Sequence, residues 1–230
     1  MIYKFIVPFT VLFMVAYASE SRADCTTNCT NWNQGGPMLR GSGKVITQTR
    51  QVAKFNAVSV VSGGSVQIER TGTAGVSVSA DDNLISLFTT EVKGSTLYLA
   101  FAQGKSFHGT NPVYRITVAD LQSVEVTGAG DVTASKLDED RLSLSLPGSG
   151  SLRISGKANE FSVDIKGSGD IAARDLTTRR AKVSIGGSGS VDVNASEQLD
   201  VTISGAGSVS YAGSPKITQR ITGAGAVMRK

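Results

Sequence analysis

Six copies of one short pattern, apolar-x-apolar-x-Gly-(Ala/Ser)-Gly-x-apolar, fill the second half of this 230-residue chain. The copies begin at Val124, Leu144, Val163, Val183, Val201 and, in a degraded form, Gln219. Their first glycines, Gly128, Gly148, Gly167, Gly187, Gly205 and Gly223, lie 20, 19, 20, 18 and 18 residues apart. A near-constant period of this length is the signature of a stacked repeat. It restricts the fold more than composition does.

Two residues before the first glycine stand Val126, Leu146, Ile165, Ile185, Ile203 and Ile221; four after it stand Val132, Leu152, Ile171, Val191, Val209 and Val227. All are aliphatic and most are β-branched, the type that suits a pleated, half-buried surface. Six before the glycine, Leu142, Phe161, Ala181, Leu199 and Ile217 extend the same face. The intervening residues are mostly Ser, Thr, Asp and Lys, so the alternation has period two and argues strand. Glycines flanking a small residue give the backbone access to positive φ and to close approach by another chain. Each period therefore reads as one coil of 18–20 residues in an all-β, parallel β-solenoid (β-helix), taken as right-handed, with the triplet at a corner. The same pattern also reads as a hairpin with a Gly-containing loop. Uniform alignment between copies favours stacking, because neighbours in a solenoid must match position by position.

The remaining segments fall around this array. Residues 1–23 read as a signal peptide: Lys4, an apolar run from Phe5 to Tyr17, and small residues before a cleavage site after Ala23. No later stretch is apolar enough to span a bilayer. Residues 24–50 read as a polar leader or linker containing Trp32, and Cys25 and Cys29 there are candidates for a local disulfide or two free thiols. Residues 51–230 read as one domain, less regular from 51 to 120, where strand-like runs and one short helical turn at Asp81–Phe88 are expected. Those residues are expected to cap one end of the array or form larger coils, and exposed solenoid ends offer a route to self-association.

Chemistry is sparse. His108 is the only histidine, in a loop expected from Gln103 to Asn111, so a zinc site or a histidine-based triad lacks partners. No serine sits in a Gly-x-Ser-x-Gly elbow, and the triplets lack the third glycine and following helix of a dinucleotide loop. No metal or cofactor is implied. The net charge of +4 becomes +3 once residues 1–23, with Lys4, Arg22 and Glu20, are removed. That mild charge and one tryptophan argue against nucleic acid, and Arg179, Arg180 and Lys182 read as a solvated face. The best enzymatic candidates are Asp131 and Asp170, at the same repeat position two coils apart with Ser151 between. Stacking at the strand spacing sets them about 9–10 Å apart, near the upper end for an inverting glycosidase.

Phe55-Asn-Ala-Val-Ser-Val, Asp82-Asn-Leu-Ile with Thr90-Glu-Val-Lys-Gly-Ser-Thr-Leu-Tyr-Leu99, and Val126-Thr-Gly-Ala-Gly-Asp-Val132 with its later copies resemble one family. It is the exported bacterial head GIN domain family, whose label is "putative auto-transporter adhesin". The resemblance spans about residues 51–227. It implies a β-helical protein of the envelope or surface and brings no catalytic motif. The leading expectation is an exported, non-enzymatic binding module for polysaccharide or another envelope polymer. The alternative is a carbohydrate-active enzyme, a lyase or glycoside hydrolase using surface carboxylates.

Overall fold

The computed structural model describes residues 38–103 and 105–230. The signal-peptide reading of 1–23, the Cys25–Cys29 pair and Trp32 lie outside the described residues. The irregular portion contains β1 (Met38–Arg40), β2 (Val45–Arg50), β3 (Ala57–Val60), β4 (Ser65–Arg70) and β5 (Gly75–Asp81), then a single 3-10 turn at Ile85–Leu87. After the turn come β6 (Phe88–Lys93), β7 (Thr96–Phe101), β8 (Ser106–His108) and β9 (Val113–Val118). The repeat array follows: β10 (Ser123–Val126), β11 (Asp131–Leu146), β12 (Ser151–Ile165), β13 (Asp170–Ile185) and β14 (Ser190–Ile203). It closes with β15 (Ser208–Ala212), β16 (Lys216–Ile221) and β17 (Ala226–Arg229).

Each strand of the array pairs in parallel with the strand one period on, which excludes the hairpin reading and makes a β-solenoid of about five turns. The rows expected from the repeat are the rows of the sheet. Val132, Leu152, Ile171, Val191, Val209 and Val227 stand in register, as do Leu142, Phe161, Ala181, Leu199 and Ile217. Both rows point inward and are buried except in the final coil. Burying such an aliphatic side chain contributes about 1.5–3 kcal/mol, and the stacked rows form one continuous core.

The triplet glycines serve close approach alone. None of them has positive φ; that conformation occurs instead at residues such as Gly64, Gly156, Gly213 and Lys136. A Cβ on Gly167 would overlap the backbone carbonyl of Gly148, and one on Gly187 that of Gly167. The parallel ladder runs through the corner: the N–H of Ser168 donates to the Gly148 carbonyl at 3.2 Å, and that of Ser188 to Gly167 at 3.1 Å. The middle residues Ser149, Ser168 and Ser188 face solvent, so crowding falls on the glycines rather than on them. A second bend, absent from the repeat pattern, lies within each long strand. There the β11–β12 register shifts between Ala134 and Leu137, with Lys136 at φ 59°.

Residues 51–120 both extend the stack and end it. β3 and β4 flank Ser62-Gly63-Gly64 in register with β10 and β11, and β7 and β9 add the next layer in parallel. β6, β5 and β2 then pair antiparallel, which breaks the stacking rule and closes that end. Within 24–50, Val45–Arg50 is a strand on β5 whose side chains are exposed or half-buried, so backbone pairing holds it and no apolar alternation was needed. The expected loop around His108 likewise contains a three-residue strand, β8, paired with β1.

Candidate functional site

Asp131, Ser151 and Asp170 stand in one row on the outer face of β11, β12 and β13, and Ser190 follows on β14. Each carboxylate is engaged by the serine of the next coil. Ser151 Oγ donates to Asp131 Oδ1 at 2.5 Å; Ser190 Oγ donates to Asp170 Oδ1 at 2.5 Å and its N–H at 3.1 Å. Ser65 lies before Asp131 in the row, and Ser208 and Ala226 follow Ser190. The row is a ladder of small polar groups on an open, exposed strand face.

A different face carries the concave surface. A trough of about 990 Å³ crosses β11 to β14, bordered at one end by Asp120 and Gln122 ahead of β10. A smaller hollow of about 420 Å³ adjoins it, and the two share Asp120, Glu139, Asp140 and Asn159. The register sets opposite charges directly opposite one another along this corner. Arg141, Glu160 and Arg180 stand in line, with Arg141 Nε 3.1 Å and Arg180 Nη2 2.6 Å from Glu160 carboxylate oxygens. Arg179 Nε pairs with Glu197 at 2.7 Å. The Arg180 hydrogen bond, then the charge of Arg141, hold the Glu160 carboxyl below its ordinary range, and Glu160 raises Arg180 in turn. These pairs are exposed, so each adds little stability. Arg179 and Arg180 of the basic cluster are thus threaded into an ion-pair ladder.

Glu139 differs from its neighbours. Its register partners on successive coils are Ala158, Thr178 and Ala195, all buried and all small. A carboxylate therefore occupies an inward row, and its side chain is only 7 % exposed. Oε1 accepts the N–H of Leu121 at 3.1 Å and lies 3.3 Å from Arg70 Nε, which also donates to the Ala119 carbonyl at 3.0 Å. Burial pushes the Glu139 carboxyl above its ordinary value, and Asp120 and Asp138 push the same way; the Leu121 N–H and Arg70 oppose them. In sequence this residue is hidden in the charge run Asp138-Glu-Asp-Arg141. The available signal was alternation: two residues after the buried Leu137, Glu139 must point inward.

The exposed His108 side chain lies outside both hollows. No helix among the described residues is long and apolar enough to cross a membrane.

A family model described as "Putative auto-transporter adhesin, head GIN domain" matches residues 54–215. No match is found among curated proteins. A "putative adhesin" from Bacteroides fragilis is 26% identical, with a TM-score of 0.70 over 84% of this chain and 100% of its own. From Parabacteroides distasonis, a "putative lipid binding protein" and a "putative adhesin" are each 23% identical over 84% of this chain and 100% of their own. Their TM-scores are 0.54 and 0.53, and they show the same fold.

Proposed function

The chain belongs to the head GIN domain family, and on that premise we propose that it is an exported, non-enzymatic protein of the cell envelope or surface that binds polysaccharide or another envelope polymer. One observation carries the reading. Polar side chains on the outer faces repeat from coil to coil in register, as in Ser143, Ser162, Lys182, Asp200 and Thr218. A polymer lying across the coils meets a new set of donors and acceptors at each strand spacing of about 4.8 Å. Many weak contacts repeated in this way give avidity without a deep pocket. In this reading residues 1–23 are a cleaved export signal and Cys25 and Cys29 belong to the leader that follows it.

A glycan array together with an envelope pull-down tests this directly; blank results in both would remove it. Turnover of a polysaccharide panel separates it from the enzymatic alternative. Turnover abolished by Asp131→Asn with Asp170→Asn would assign those carboxylates a catalytic role.

A further inference from the structure

We propose that the last turn of the solenoid, residues 216–230, docks the protein onto an anionic lipid surface. Its basic side chains meet the headgroup phosphates, and Ile221 and Met228 sit among the headgroups. This interaction surface is separate from the polar rows of the outer faces and does not rest on the polymer-binding reading.

Charge is the first observation. Residues 201–230 hold Lys216, Arg220, Arg229 and Lys230 and no acidic side chain, a balance of +4. The array below them, residues 121–200, holds 9 basic and 12 acidic side chains, a balance of 9 − 12 = −3. Positive charge is therefore gathered at this tip, where it attracts an anionic surface. All four cations are exposed. Lys230 lies 3.0 Å from Asp192 and Arg229 donates to Ser214 Oγ at 3.0 Å, whereas Lys216 and Arg220 have no acidic partner among the described residues.

Apolar exposure in the same turn is the second. Ile221 on β16 and Met228 on β17 are 37% and 52% exposed. A soluble polyanion gains nothing from them, but a headgroup layer takes up apolar side chains and cations together. Both strands also pair on one side only, β16 with β14 and β17 with β15. Such an edge presents a row of unpaired backbone groups. Phosphates and water satisfy them and hydrocarbon does not, which keeps the tip at the level of the headgroups.

A second copy of the chain suits this tip poorly. The inward rows that run through Val201 and through Val193 and Tyr211 end in Gln219 and Arg229. A coil stacked there would bury an amide and a guanidinium. Residues 38–120, toward the other end, carry 8 basic and 5 acidic side chains, a balance of 8 − 5 = +3. Copies stacked tip to tip or head to tail therefore meet like charge.

Flotation of the full chain with vesicles tests the proposal, using phosphatidylcholine alone and an equimolar mixture with phosphatidylglycerol. The readout is the excess of anionic over neutral binding, so the apolar run from Phe5 to Tyr17, common to every variant, cancels. Each Lys or Arg at such a surface contributes about fivefold. Lys216→Gln with Arg220→Gln should therefore reduce the excess about tenfold or more, and Met228→Ser severalfold. Arg153→Gln with Lys157→Gln removes the same charge from exposed positions of β12. These lie three or more strand spacings below the tip, about 14 Å or more, beyond the screening length of about 8 Å, and should leave the excess unchanged. Thermal melts establish that each variant is folded, and all five substituted side chains are exposed. No excess in the wild type, tip variants that bind as it does, or an equal loss in the β12 pair overturns the proposal. Polyphosphate bound as tightly as the anionic vesicles, with Met228→Ser indistinguishable from wild type, would assign the tip to a soluble polyanion and overturn it too.

Discussion

Glu139 Oε1 lies 3.1 Å from the backbone nitrogen of Leu121, so a side chain of β11 fastens the stretch that leads into the preceding coil at β10. Leu121 is fully buried, and the contact joins the irregular half of the chain to the regular half. The same carboxylate carries the strain of being buried beside Asp120 and Asp138.

That strain has a pH signature. The Glu139 carboxyl is raised above its ordinary value of 4.5, chiefly by burial. Between that value and the raised one the folded state holds more protons than the unfolded state. Stability contributed by this group is therefore greatest in acid and falls as pH rises through the window. Wild type should lose melting temperature relative to Glu139→Gln, which cannot ionise, as the pH is raised from about 4. Parallel curves for the two proteins would show that Glu139 does not titrate differently on folding.

The corner glycines make a sharper structural prediction. Gly167→Ala forces a Cβ into the Gly148 carbonyl, and neither backbone can yield without shifting a coil. The expected cost is about 1–3 kcal/mol or more in urea unfolding. Ser168→Ala, one residue on and facing solvent, should stay within about 0.5 kcal/mol. Comparable losses at both positions would mean that the middle residue, not the glycine, is the crowded one.

These two sites mark how far the amino-acid order could be read. Stacking in register requires a like residue at each repeat position, so Ile165, Ile185 and Ile203 mark their row in the sequence itself. The second bend left no such trace, because Lys136 and Gly156 serve it with unlike residues and shifted registers. β2 was hidden because antiparallel backbone pairing at an edge places no demand on Thr47, Gln48 or Thr49. Glu139 was hidden because charge in sequence resembles exposure until alternation is counted through Leu137. Asp131 and Asp170 share a row that the repeat alignment shows, but the serines that engage them depend on rotamers no repeat alignment can supply.

The segment ahead of the family match offers a third test. Asp81, only 2% exposed, accepts the Gly43 N–H at 3.1 Å. Beside it Ser42 Oγ donates to Asp82 at 2.6 Å, and Asn83 Nδ2 donates to the Arg40 carbonyl at 2.9 Å. These contacts clasp the turn between β1 and β2. Asp81→Ala should cost about 0.5–1.5 kcal/mol, as the Gly43 N–H loses its acceptor. Hydrogen exchange of Val45–Arg50 should rise more than that of β11 to β13. Unchanged exchange at β2 would show that strand pairing alone retains it.

Tyr114 gives the alkaline counterpart. It is fully buried, packs edge-on to Phe88 at 6.4 Å, and shares a 3.4 Å hydrogen bond with Ser62. Burial raises its hydroxyl above the ordinary 10.0, against smaller opposing effects of Ser62 and Arg50. Above pH 10 the unfolded chain therefore loses this proton first, so the contribution of Tyr114 declines as pH rises. Tyr114→Phe leaves Ser62 without its partner and should lower stability by about 0.5–1.5 kcal/mol at neutral pH. Lacking the ionisable hydroxyl, the variant escapes the alkaline loss, so the gap to wild type should narrow as pH passes 10. Thermal melts paired with tyrosinate absorbance measure both effects. A gap that stays constant through that range would mean that Tyr114 ionises as readily folded as unfolded, and that the end of the core nearest β9 is open to water.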